Sequence, residues 1–389
     1  MSDQPLVQWS EGGDGPPHQA RWRSEAGWAP PARLLCADDR LAADAAYRLA
    51  CEGTGLVWHG DFQNARHLLQ ALARRIDRKP RRPSAPPASA ASPSDAFHRH
   101  RQAQGRRARL LGMVLIEVQG DGRIALRRAP DLRPALHEAW GPPTGEPQLV
   151  ALRELLGVVG AHEWRKKGVE VPALGPAPDN RIHPHYGVFS PVRGEYLDLL
   201  AHAPLPADRR LAWDIGTGTG VVAALLARRG VQHVLATDNN PRALACASEN
   251  VARLGLRERV EVVEADLFPQ GAGTAPLIVC NPPWLPARPA SLLESAVYDP
   301  DGRMLRGFLS GLRVRLDAGG EGWLILSDLA EHLGLRTRDE LLRLIAEGGL
   351  RVAERRDIRP RHPKAADPDD ALAAARSREL TSLWRLAPG

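Results

Sequence analysis

The amino-acid sequence predicts an α/β protein. Its C-terminal half should form a doubly wound, mostly parallel seven-stranded sheet, with a mixed α+β region before it. From about residue 195 onward, short apolar runs alternate with amphipathic segments of helical period, and glycine-rich turns connect them. Strands that alternate with helices are joined by right-handed crossovers, which make the strands parallel and place helices on both faces of the sheet.

The elements of this sheet are assigned in chain order. Each predicted strand is a short apolar run bounded by turn-forming residues, as is typical of buried strands. The helix that begins at Pro241 has its proline in the first turn, where a missing N–H is tolerated. The predicted strands occupy residues 210–214, 233–238, 260–265, 277–280, 323–327, 350–358 and 380–386. The predicted helices occupy residues 195–203, 221–229, 241–254, 303–316 and 338–347.

Shifts in composition divide the chain of 389 residues into an expected four parts. Residues 1–79 are predicted to be a helical region, because leucines recur there at helical spacing. Residues 80–108 are rich in Pro, Ser and Ala, which predicts a basic linker. A small α+β region that recognises the substrate is expected over 109–182, and the main domain over 183–389.

A β-hairpin and a helix are predicted within residues 109–182. Gly120-Asp121-Gly122 is a typical hairpin turn, and the flanking runs 109–118 and 123–127 suit strands. The helix is expected over 148–159. Residues 171–192 are predicted to be a loop.

Composition excludes several classes of protein. The longest apolar runs, such as 110–118, fall well short of the roughly 18–20 residues that cross a bilayer. The N-terminus lacks the basic start and apolar core of a signal peptide. We therefore expect a soluble, cytoplasmic protein. Its four cysteines show no C-x-x-C spacing, so no metal site is predicted.

The positive charge of the chain is concentrated in one stretch. Arg74 to Arg109 contains 11 Lys and Arg residues and only two acidic residues, Asp77 and Asp95. The formal net charge of the whole chain is +6. A concentrated basic stretch is typical of a protein that binds a polyanion such as RNA. A solvated linker that happens to use arginine is the alternative.

A glycine loop follows the first predicted strand. Gly216, Gly218 and Gly220 allow the backbone to approach a ligand closely and to turn into a helix. The dinucleotide fingerprint G-x-G-x-x-G would need its third glycine at position 221, where this chain has Val221. Asp214 stands just before the loop and favours a cationic group over a pyrophosphate. The loop therefore predicts binding of S-adenosylmethionine (SAM) rather than NAD.

Acidic residues also end the next two predicted strands. Asp238, followed by Asn239, can accept hydrogen bonds from both hydroxyls of a ribose. Asp266 and Leu267 offer an acceptor and an apolar contact to an adenine. Each carboxylate by itself would more commonly be a helix N-cap. Three of them at three successive strand ends favour a shared ligand.

The fourth predicted strand ends in Asn281-Pro282-Pro283-Trp284. With this string, and with TDNNPRALACASENVARLGL and VEADLF before it, the sequence resembles the class I SAM-dependent methyltransferases that methylate planar amino groups, in the methyltransferase small domain group. The resemblance covers roughly residues 183–330. It implies a Rossmann-like methyltransferase fold, and it implies that Phe189 and Pro191 line the methionine end of the cofactor pocket.

The chemistry of an amino acceptor explains the residues from Asn281 to Trp284. The lone pair of an exocyclic or amide NH2 is delocalised, so the group is a poor nucleophile. The Asn281 side-chain oxygen and the Pro282 carbonyl can each accept one N–H and turn the lone pair toward the methyl donor. Pro282 and Pro283 stiffen the loop in advance, and Trp284 offers a flat face for stacking.

The sequence thus predicts a SAM-dependent N-methyltransferase acting on a base in RNA of the translation machinery. A protein glutamine-N5 methyltransferase is the first alternative, although its relatives usually carry Tyr where this chain has Trp284. A non-catalytic RNA-binding protein with a methyltransferase fold is the second alternative. The intact Asp214, Asp238 and Asn281 argue against it.

Overall fold

A computed structural model of the chain describes residues 4–10, 17–78, 92–192, 194–289, 293–361 and 372–389. The chain divides into two compact units. The first comprises the described residues of Met1–Ala90 and Arg99–Glu163, and the second those of Ala91–His98 and Trp164–Gly389.

The first unit is built around six strands, with helices between them. Its strands are β1 (Leu6–Trp9), β2 (His18–Arg23), β3 (Arg33–Ala37), β4 (Thr54–Trp58), β5 (Val114–Val118) and β6 (Gln148–Ala151). The helices are α1 (Ala43–Cys51), α2 (Phe62–Ile76), α3 (Pro93–Leu111), α4 (Arg133–Trp140) and α5 (Leu152–Lys167), of which α3 and α5 extend into the ranges of the second unit.

The six strands form one mixed sheet in the order β1-β2-β6-β5-β4-β3. Neighbours are parallel except at β1/β2 and β5/β6, which are antiparallel. Trp22, Val57, Leu115 and Leu149 are among the buried side chains that pack on one face of the sheet. The expected mixture of helices and strands in this part of the chain is confirmed.

The prediction of a helical region over residues 1–79 is wrong for β1, β2, β3 and β4. All five residues of β4, TGLVW, are buried. An apolar run this short has no periodicity that separates a buried strand from a buried helix turn. Its parallel pairing with β3 and β5, which are distant in sequence, fixes it as a strand.

The predicted linker over 80–108 is in part a helix. Residues 79–91 lie outside the described residues, but α3 begins at Pro93. The Ser92 hydroxyl accepts a hydrogen bond from the Asp95 N–H (3.1 Å), and an Asp95 oxygen accepts one from the Ser92 N–H (3.2 Å). This reciprocal pair is a capping box, which stabilises a helix N-terminus. The Pro/Ser composition therefore also marks the start of a basic helix.

The predicted hairpin within 109–127 is also wrong, although its turn is present. The Gln119 N–H donates to the Arg123 carbonyl at 2.8 Å. Residues 123–127 are all described and contain no strand. Instead, Arg128 makes two hydrogen bonds to the fully buried Asp61 carboxylate. The antiparallel partner of β5 is β6.

The second unit contains a two-stranded ribbon and a seven-stranded sheet. Its strands are β7 (Val169–Glu170), β8 (Arg181–Ile182), β9 (Leu211–Ile215), β10 (His233–Asp238), β11 (Val260–Glu264), β12 (Ala275–Cys280), β13 (Leu316–Ser327), β14 (Leu350–Ile358) and β15 (Thr381–Pro388). Its helices are α6 (Glu195–His202), α7 (Val221–Arg228), α8 (Pro241–Arg253), α9 (Arg303–Leu312), α10 (Leu329–His332), α11 (Arg338–Glu347) and α12 (Ala373–Arg376).

The large sheet has the order β11-β10-β9-β12-β13-β15-β14. The first five strands are parallel to one another, and β15 runs antiparallel to both β13 and β14. Two clusters of buried side chains include residues of this sheet and of the helices around it, one with α6 and α7 and the other with α9 and α11. The predicted doubly wound, mostly parallel seven-stranded sheet is confirmed.

Two predicted helices have other limits in the structure. The helix expected over 148–159 begins only at Leu152, because the preceding residues form β6. The helix expected over 303–316 ends at Leu312, and β13 begins at Leu316 rather than at 323. Leu316 pairs with Ala275, so the strand continues through the glycines that follow it. Within the described residues, no helix has the length and apolar character needed to cross a membrane.

Candidate functional site

Three neighbouring parallel strands bring the predicted site residues to one edge of the large sheet. Asp214 lies in β9 beside its last residue, Asp238 ends β10, and Asn281 directly follows β12. Because β9 pairs in parallel with both β10 and β12, their carboxyl ends lie at the same edge. This is the edge at which open α/β sheets bind ligands.

The glycine loop after β9 depends on backbone angles that favour glycine. Gly216, Gly218 and Gly220 have φ values of 72°, 56° and 79°. A Cβ on Gly216 would lie 2.4 Å from the Met304 Cε, and one on Gly220 would lie 3.2 Å from the Ala247 Cα. A Cβ on Gly218 would have no atom within 4 Å. Gly218 therefore faces open space, whereas Gly216 and Gly220 are closely packed.

Asp214 is buried under this loop. One carboxylate oxygen accepts hydrogen bonds from the Thr217 hydroxyl (2.6 Å) and from the Ala223 N–H (3.0 Å) at the start of α7. Burial raises the pKa of Asp214 to about 7, with a further contribution from the negative charge of Asp238. Asp214 thus ties the loop to the helix that follows it.

Asp238 holds the other side of the loop. Its two oxygens accept hydrogen bonds from the Gly218 N–H (3.0 Å) and the Asn240 N–H (2.9 Å). Each carboxylate oxygen keeps further acceptor capacity. The half-buried Asp238 carboxylate and the exposed Asn239 therefore remain able to accept hydrogen bonds from a ligand.

The residues after β11 make contacts of a different kind. Asp266 is exposed and forms an ion pair with Arg303. Leu267 has a φ of 69°, which is unusual for a residue with a branched side chain. Its carbonyl accepts a hydrogen bond from the Thr237 hydroxyl (2.7 Å), at the end of β10. The strained residue is thus held beside the strand that carries Asp238.

The segment from Asn281 to Trp284 has an internal hydrogen bond. The Trp284 indole N–H donates to the Asn281 side-chain oxygen at 3.0 Å. Pro282 is buried and Pro283 is half-buried. Trp284 is half-buried and packs against the core clusters on both sides of the sheet. The Trp284 indole N–H therefore also orients the Asn281 amide. The sequence predicted only that the ring could offer a face for stacking.

The chain after Trp284 connects this segment to the glycine loop. The Asp299 N–H donates to the Leu285 carbonyl at 2.8 Å. The Asp299 carboxylate accepts hydrogen bonds from the N–H groups of Met304 (3.0 Å) and Leu305 (3.1 Å) at the start of α9. Met304 is the residue that packs against Gly216. Asp299 therefore links the two halves of the site, and sequence reasoning missed it.

Phe189 and Pro191 lie in the loop before α6. Phe189 is 39% exposed, whereas Pro191 is buried. The start of this loop is held by Asn250, a buried residue of α8, whose side chain hydrogen-bonds to the His183 N–H (2.8 Å) and to the Thr219 carbonyl (3.0 Å). Asn250 was also missed. Its signal is a polar residue on the otherwise apolar buried face of α8.

The histidine pair at 183 and 185 has structural partners. The His183 Nδ1 lies 2.6 Å from the Arg165 carbonyl oxygen, and the His185 Nε2 lies 2.8 Å from a Glu249 carboxylate oxygen. Hydrogen bonds from Arg253, His185 and Arg165 outweigh burial and lower the pKa of Glu249 to about 2. Within the described ranges, no group of three or more His, Cys, Asp or Glu side chains is placed to hold a metal ion.

In the basic stretch from Arg74 to Arg109, some of the described arginines form ion pairs and others are exposed without one. Arg75 and Arg107 form ion pairs with Asp44 and Asp77. Three arginines of α3 are exposed, and among the described residues none of them has an ion-pair partner. Their spacing of seven and three residues places them on one side of the helix. These three are Arg99, Arg106 and Arg109. Lys79, Arg81 and Arg82 lie outside the described residues.

The comparisons with known proteins concern the second unit. Residues 179–297 match the family model of the methyltransferase small domain. A release factor glutamine methyltransferase of Cereibacter sphaeroides is 40% identical over 110 residues, which are 28% of this chain and 36% of that protein. A tRNA1(Val) (adenine(37)-N6)-methyltransferase of Bacteroides thetaiotaomicron is 45% identical over 74 residues, which are 18% of this chain and 31% of that protein.

The chain spans between 36% and 61% of the length of the release factor glutamine methyltransferases that it matches. A Methanocaldococcus jannaschii protein named "Putative protein N5-glutamine methyltransferase" is covered more fully. It is 30% identical over 155 residues, which are 38% of this chain and 76% of that protein. With this coverage, and with the family model matched across the glycine loop and the Asn281 segment, the chain belongs to the methyltransferase small domain family of class I SAM-dependent methyltransferases.

Proposed function

We propose that the chain is a SAM-dependent N-methyltransferase that transfers a methyl group to a planar amino group, and that the acceptor is a base in RNA of the translation machinery. One observation carries the proposal. The Asn281 amide oxygen, oriented by Trp284, lies at the same sheet edge as the glycine loop held by Asp214 and Asp238. A methyl donor and an amino acceptor would therefore meet at this edge.

The described residues fit SAM as the cofactor. Gly218 leaves open space beside the loop, and Asp238 keeps acceptor capacity for the hydroxyls of a ribose. We assign the adenine contact to Asp266 and Leu267, and the methionine end to Asp214, Phe189 and Pro191. When bound, SAM supplies an activated methyl group on a sulfonium, so the protein needs no strong base to begin the transfer.

The acceptor side requires correct placement of an NH2 group. The Asn281 oxygen has two lone pairs and uses one of them for the Trp284 indole N–H, which leaves one for an acceptor N–H. The Pro282 carbonyl accepts the second N–H. With both N–H groups held, the nitrogen lone pair points at the methyl group, and orientation supplies most of the rate enhancement. A base in RNA must be unpaired or flipped out to enter this geometry.

The exposed side of α3 supports RNA as the acceptor. Arg99, Arg106 and Arg109 present three cations along about 15 Å of helix, at a rise of about 1.5 Å per residue. Their freedom from ion pairs among the described residues leaves them available for phosphates. Phosphate contacts of this kind supply affinity without sequence specificity.

A protein glutamine is the second candidate acceptor. The names of the relatives favour it, since release factor glutamine methyltransferases recur among them. A glutamine side-chain amide has the same planar NH2 as an adenine or guanine, so the Asn281 and Pro282 geometry suits both. The basic helix has no evident use for a neutral glutamine acceptor, and for this reason we favour RNA.

The experiment that tests the proposal is methylation of a total cell extract with methyl-labelled SAM. Label that RNase removes and protease leaves would support RNA, and the opposite pattern would support a protein glutamine. The Asn281→Ala protein serves as the matched control and should incorporate far less label. SAM binding by calorimetry separates an enzyme from a non-catalytic RNA-binding protein, because the latter has no need for the cofactor.

The RNA contact is tested through the salt dependence of binding. Replacing Arg99, Arg106 and Arg109 together by glutamine should weaken RNA binding and flatten its salt slope by about 0.7–0.9 for each lost phosphate contact. Arg107→Gln is the control, because Arg107 lies on the same helix but is paired with Asp77 at 2.7 Å. An unchanged slope in the triple variant would move the preference to a glutamine acceptor.

A further inference from the structure

Three helices of the first unit are joined near one edge of its sheet. α1 ends just before β4, and α3 ends just before β5. Because β4 and β5 are parallel neighbours, both helices end at the edge where these strands begin. The end of α2 is tied to both of them. Arg75 of α2 pairs with Asp44 of α1, and Asp77, directly after α2, pairs with Arg107 of α3.

Tyr47 of α1 lies at the centre of these contacts. The Arg75 guanidinium lies 5.5 Å from the centroid of the Tyr47 ring. A hydrogen bond with Cys51 raises the pKa of Tyr47, and the positive charges of Arg106 and Arg75 oppose that rise. Arg75 of α2 and Arg106 of α3 thus both lie close to the same residue of α1.

Positive charges exceed negative ones at these helix ends. The acidic side chains near them are each in an ion pair with an arginine. These pairs are Asp44–Arg75, Glu52–Arg33 and Asp77–Arg107. Five further arginines, in the last turns of the helices or close to the paired residues, are exposed, and within the described ranges they form no ion pair. We call these five the basic face. They are Arg48, Arg74, Arg78, Arg106 and Arg109.

Stabilisation of the helix ends accounts for only part of this charge. A helix C-terminus carries about half an elementary negative charge, which an arginine in the last turn complements. Three such ends amount to roughly one and a half negative charges, fewer than the cations of the basic face. In the sequence, three more basic residues follow soon after Arg78, and no acidic residue occurs between it and Asp95. Like charges repel one another, so the excess costs stability unless an anion binds.

We propose that the basic face is an RNA-docking surface of the first unit, which holds the phosphate backbone and reads no bases. All five guanidinium groups are exposed, so a phosphate can reach each of them and accept its paired N–H groups. The inference deepens the proposed function and rests on it for the choice of RNA. It adds α1 and α2 to the exposed arginines of α3. The ion pairs with Asp44 and Asp77 withhold Arg75 and Arg107 from the phosphates.

The test uses oligouridine as the probe. Uracil carries no exocyclic amino group, so binding of this RNA cannot depend on the proposed acceptor geometry at Asn281. In the full-length protein, Arg48, Arg74 and Arg78 are replaced together by glutamine. The affinity should fall, and the salt slope should flatten by about 0.7 for each phosphate contact that is lost.

The matched control removes three arginines of the first unit that do not belong to the basic face. Each of them is already paired with an acidic residue. These pairs are Arg21–Glu146, Arg123–Asp121 and Arg133–Asp131. Replacing the three arginines by glutamine lowers the net charge of the protein by the same amount. The salt slope of this variant should equal that of the wild-type protein.

Asp77→Asn tests the same surface in the opposite direction. The Arg107 guanidinium donates two hydrogen bonds to the Asp77 carboxylate, at 2.7 and 2.8 Å. The substitution frees Arg107 for a phosphate, so oligouridine should bind more tightly, with a salt slope steeper by about 0.7. Glu146→Gln is the control, because it frees Arg21 away from the basic face and should leave the slope unchanged. Exposed ion pairs contribute little to stability, so both variants should fold.

Three results would overturn the inference. An unchanged salt slope in the variant of Arg48, Arg74 and Arg78 would show that these arginines serve only the helix ends and the solvent. Equal flattening in the control variant would show that net charge alone matters. Equal affinity for polyglutamate and oligouridine at the same salt concentration would show that the surface does not select RNA. None of these measurements uses SAM or turnover, so a failure of the proposed methylation is distinguishable from a failure of the docking surface.

Discussion

The two sides of the sheet edge differ in how their polar groups are satisfied. On the glycine-loop side, the carboxylates of Asp214 and Asp238 each accept two hydrogen bonds from the loop and the residues that follow it. On the side of the Asn281 segment, the Asn281 oxygen accepts a single hydrogen bond within the described part of the chain, from the Trp284 indole N–H. The two carboxylates thus each have two partners within the protein, whereas the Asn281 amide has one.

This difference indicates which side of the site already has its binding geometry before a ligand binds. A loop fixed by its own hydrogen bonds loses little conformational freedom when a ligand binds, so the proposed cofactor side is preorganised. The Asn281 amide keeps hydrogen-bonding capacity that the proposed acceptor would use. Binding energy from that side is then available to place the reacting nitrogen. Substitutions on the two sides should accordingly separate cofactor affinity from turnover.

The largest expected effect comes from Asn281→Ala. In the proposed mechanism this variant removes the oxygen that accepts the acceptor N–H, so turnover should fall by about 10²–10³-fold, as for other lost transition-state contacts. SAM affinity should stay close to that of the wild-type protein, because Asn281 makes no hydrogen bond to the glycine loop in the described structure. Single-turnover kinetics and calorimetry measure the two quantities. A loss of SAM affinity equal to the loss of turnover would assign Asn281 to the cofactor instead.

Much of the second unit could be predicted from sequence because its signals are local. The seven strands are apolar runs, and the glycine loop, Asp238 and Asn281 stand directly at the strand ends. What links these residues comes from distant parts of the chain. The Asn250 side chain bonds to residues 31 and 67 positions away, and Asp299 joins the start of α9 to the Leu285 carbonyl through its backbone N–H. No spacing rule identifies such partners in a single sequence.

The strands of the first unit were harder to predict because they, too, depend on partners distant in sequence. β3 and β4 are only five residues long, and their strand character depends on pairing with each other and with β5. The helix α3 was hidden by Pro/Ser composition, although Ser92 and Asp95 form a capping box at its start. A closer inspection of capping signals would have found α3, whereas the strand pairing needed the tertiary structure.

The next effect in size is expected from Asp238→Ala. This variant removes the acceptor of the Gly218 N–H as well as the proposed ribose ligand, so SAM binding should weaken by about 1–3 kcal/mol. Calorimetry measures the change. Asp317→Ala is the control, since Asp317 lies at the start of β13, at the opposite edge of the sheet, and pairs with Arg210. Equal effects of the two substitutions would show a general loss of stability rather than a lost ligand contact.

Asp214→Asn tests the cofactor side through pH. The folded-state pKa of about 7 is higher than the ordinary value for an aspartate, so the folded protein binds this proton more tightly than the unfolded chain. The contribution of Asp214 to stability is therefore lost as pH rises from about 4 to about 7, and it is constant above that range. The asparagine variant keeps an oxygen for Thr217 and Ala223 but does not titrate.

The free energies of unfolding of wild-type and Asp214→Asn protein should thus be equal near pH 4 and differ above pH 7. We expect the variant to be more stable there by up to about 4 kcal/mol, since the pKa of Asp214 is raised by about three units and each unit corresponds to about 1.4 kcal/mol. Urea unfolding of both proteins across this pH range measures the difference. A constant difference at every pH would exclude titration of Asp214 as its cause.

The smallest expected effect is that of Trp284→Phe, which removes the indole N–H and keeps an aromatic face. If the hydrogen bond at 3.0 Å only orients the Asn281 amide, its loss is worth about 0.5–1.5 kcal/mol, which lowers kcat by about 2–10-fold. KM for the acceptor should change little, because a ring remains for stacking. Trp284→Leu, which has no ring, should raise KM in addition. A phenylalanine variant with an unchanged kcat and a raised KM would show that Trp284 contacts the acceptor through its N–H or the full width of its ring, and that the orientation of Asn281 does not depend on it.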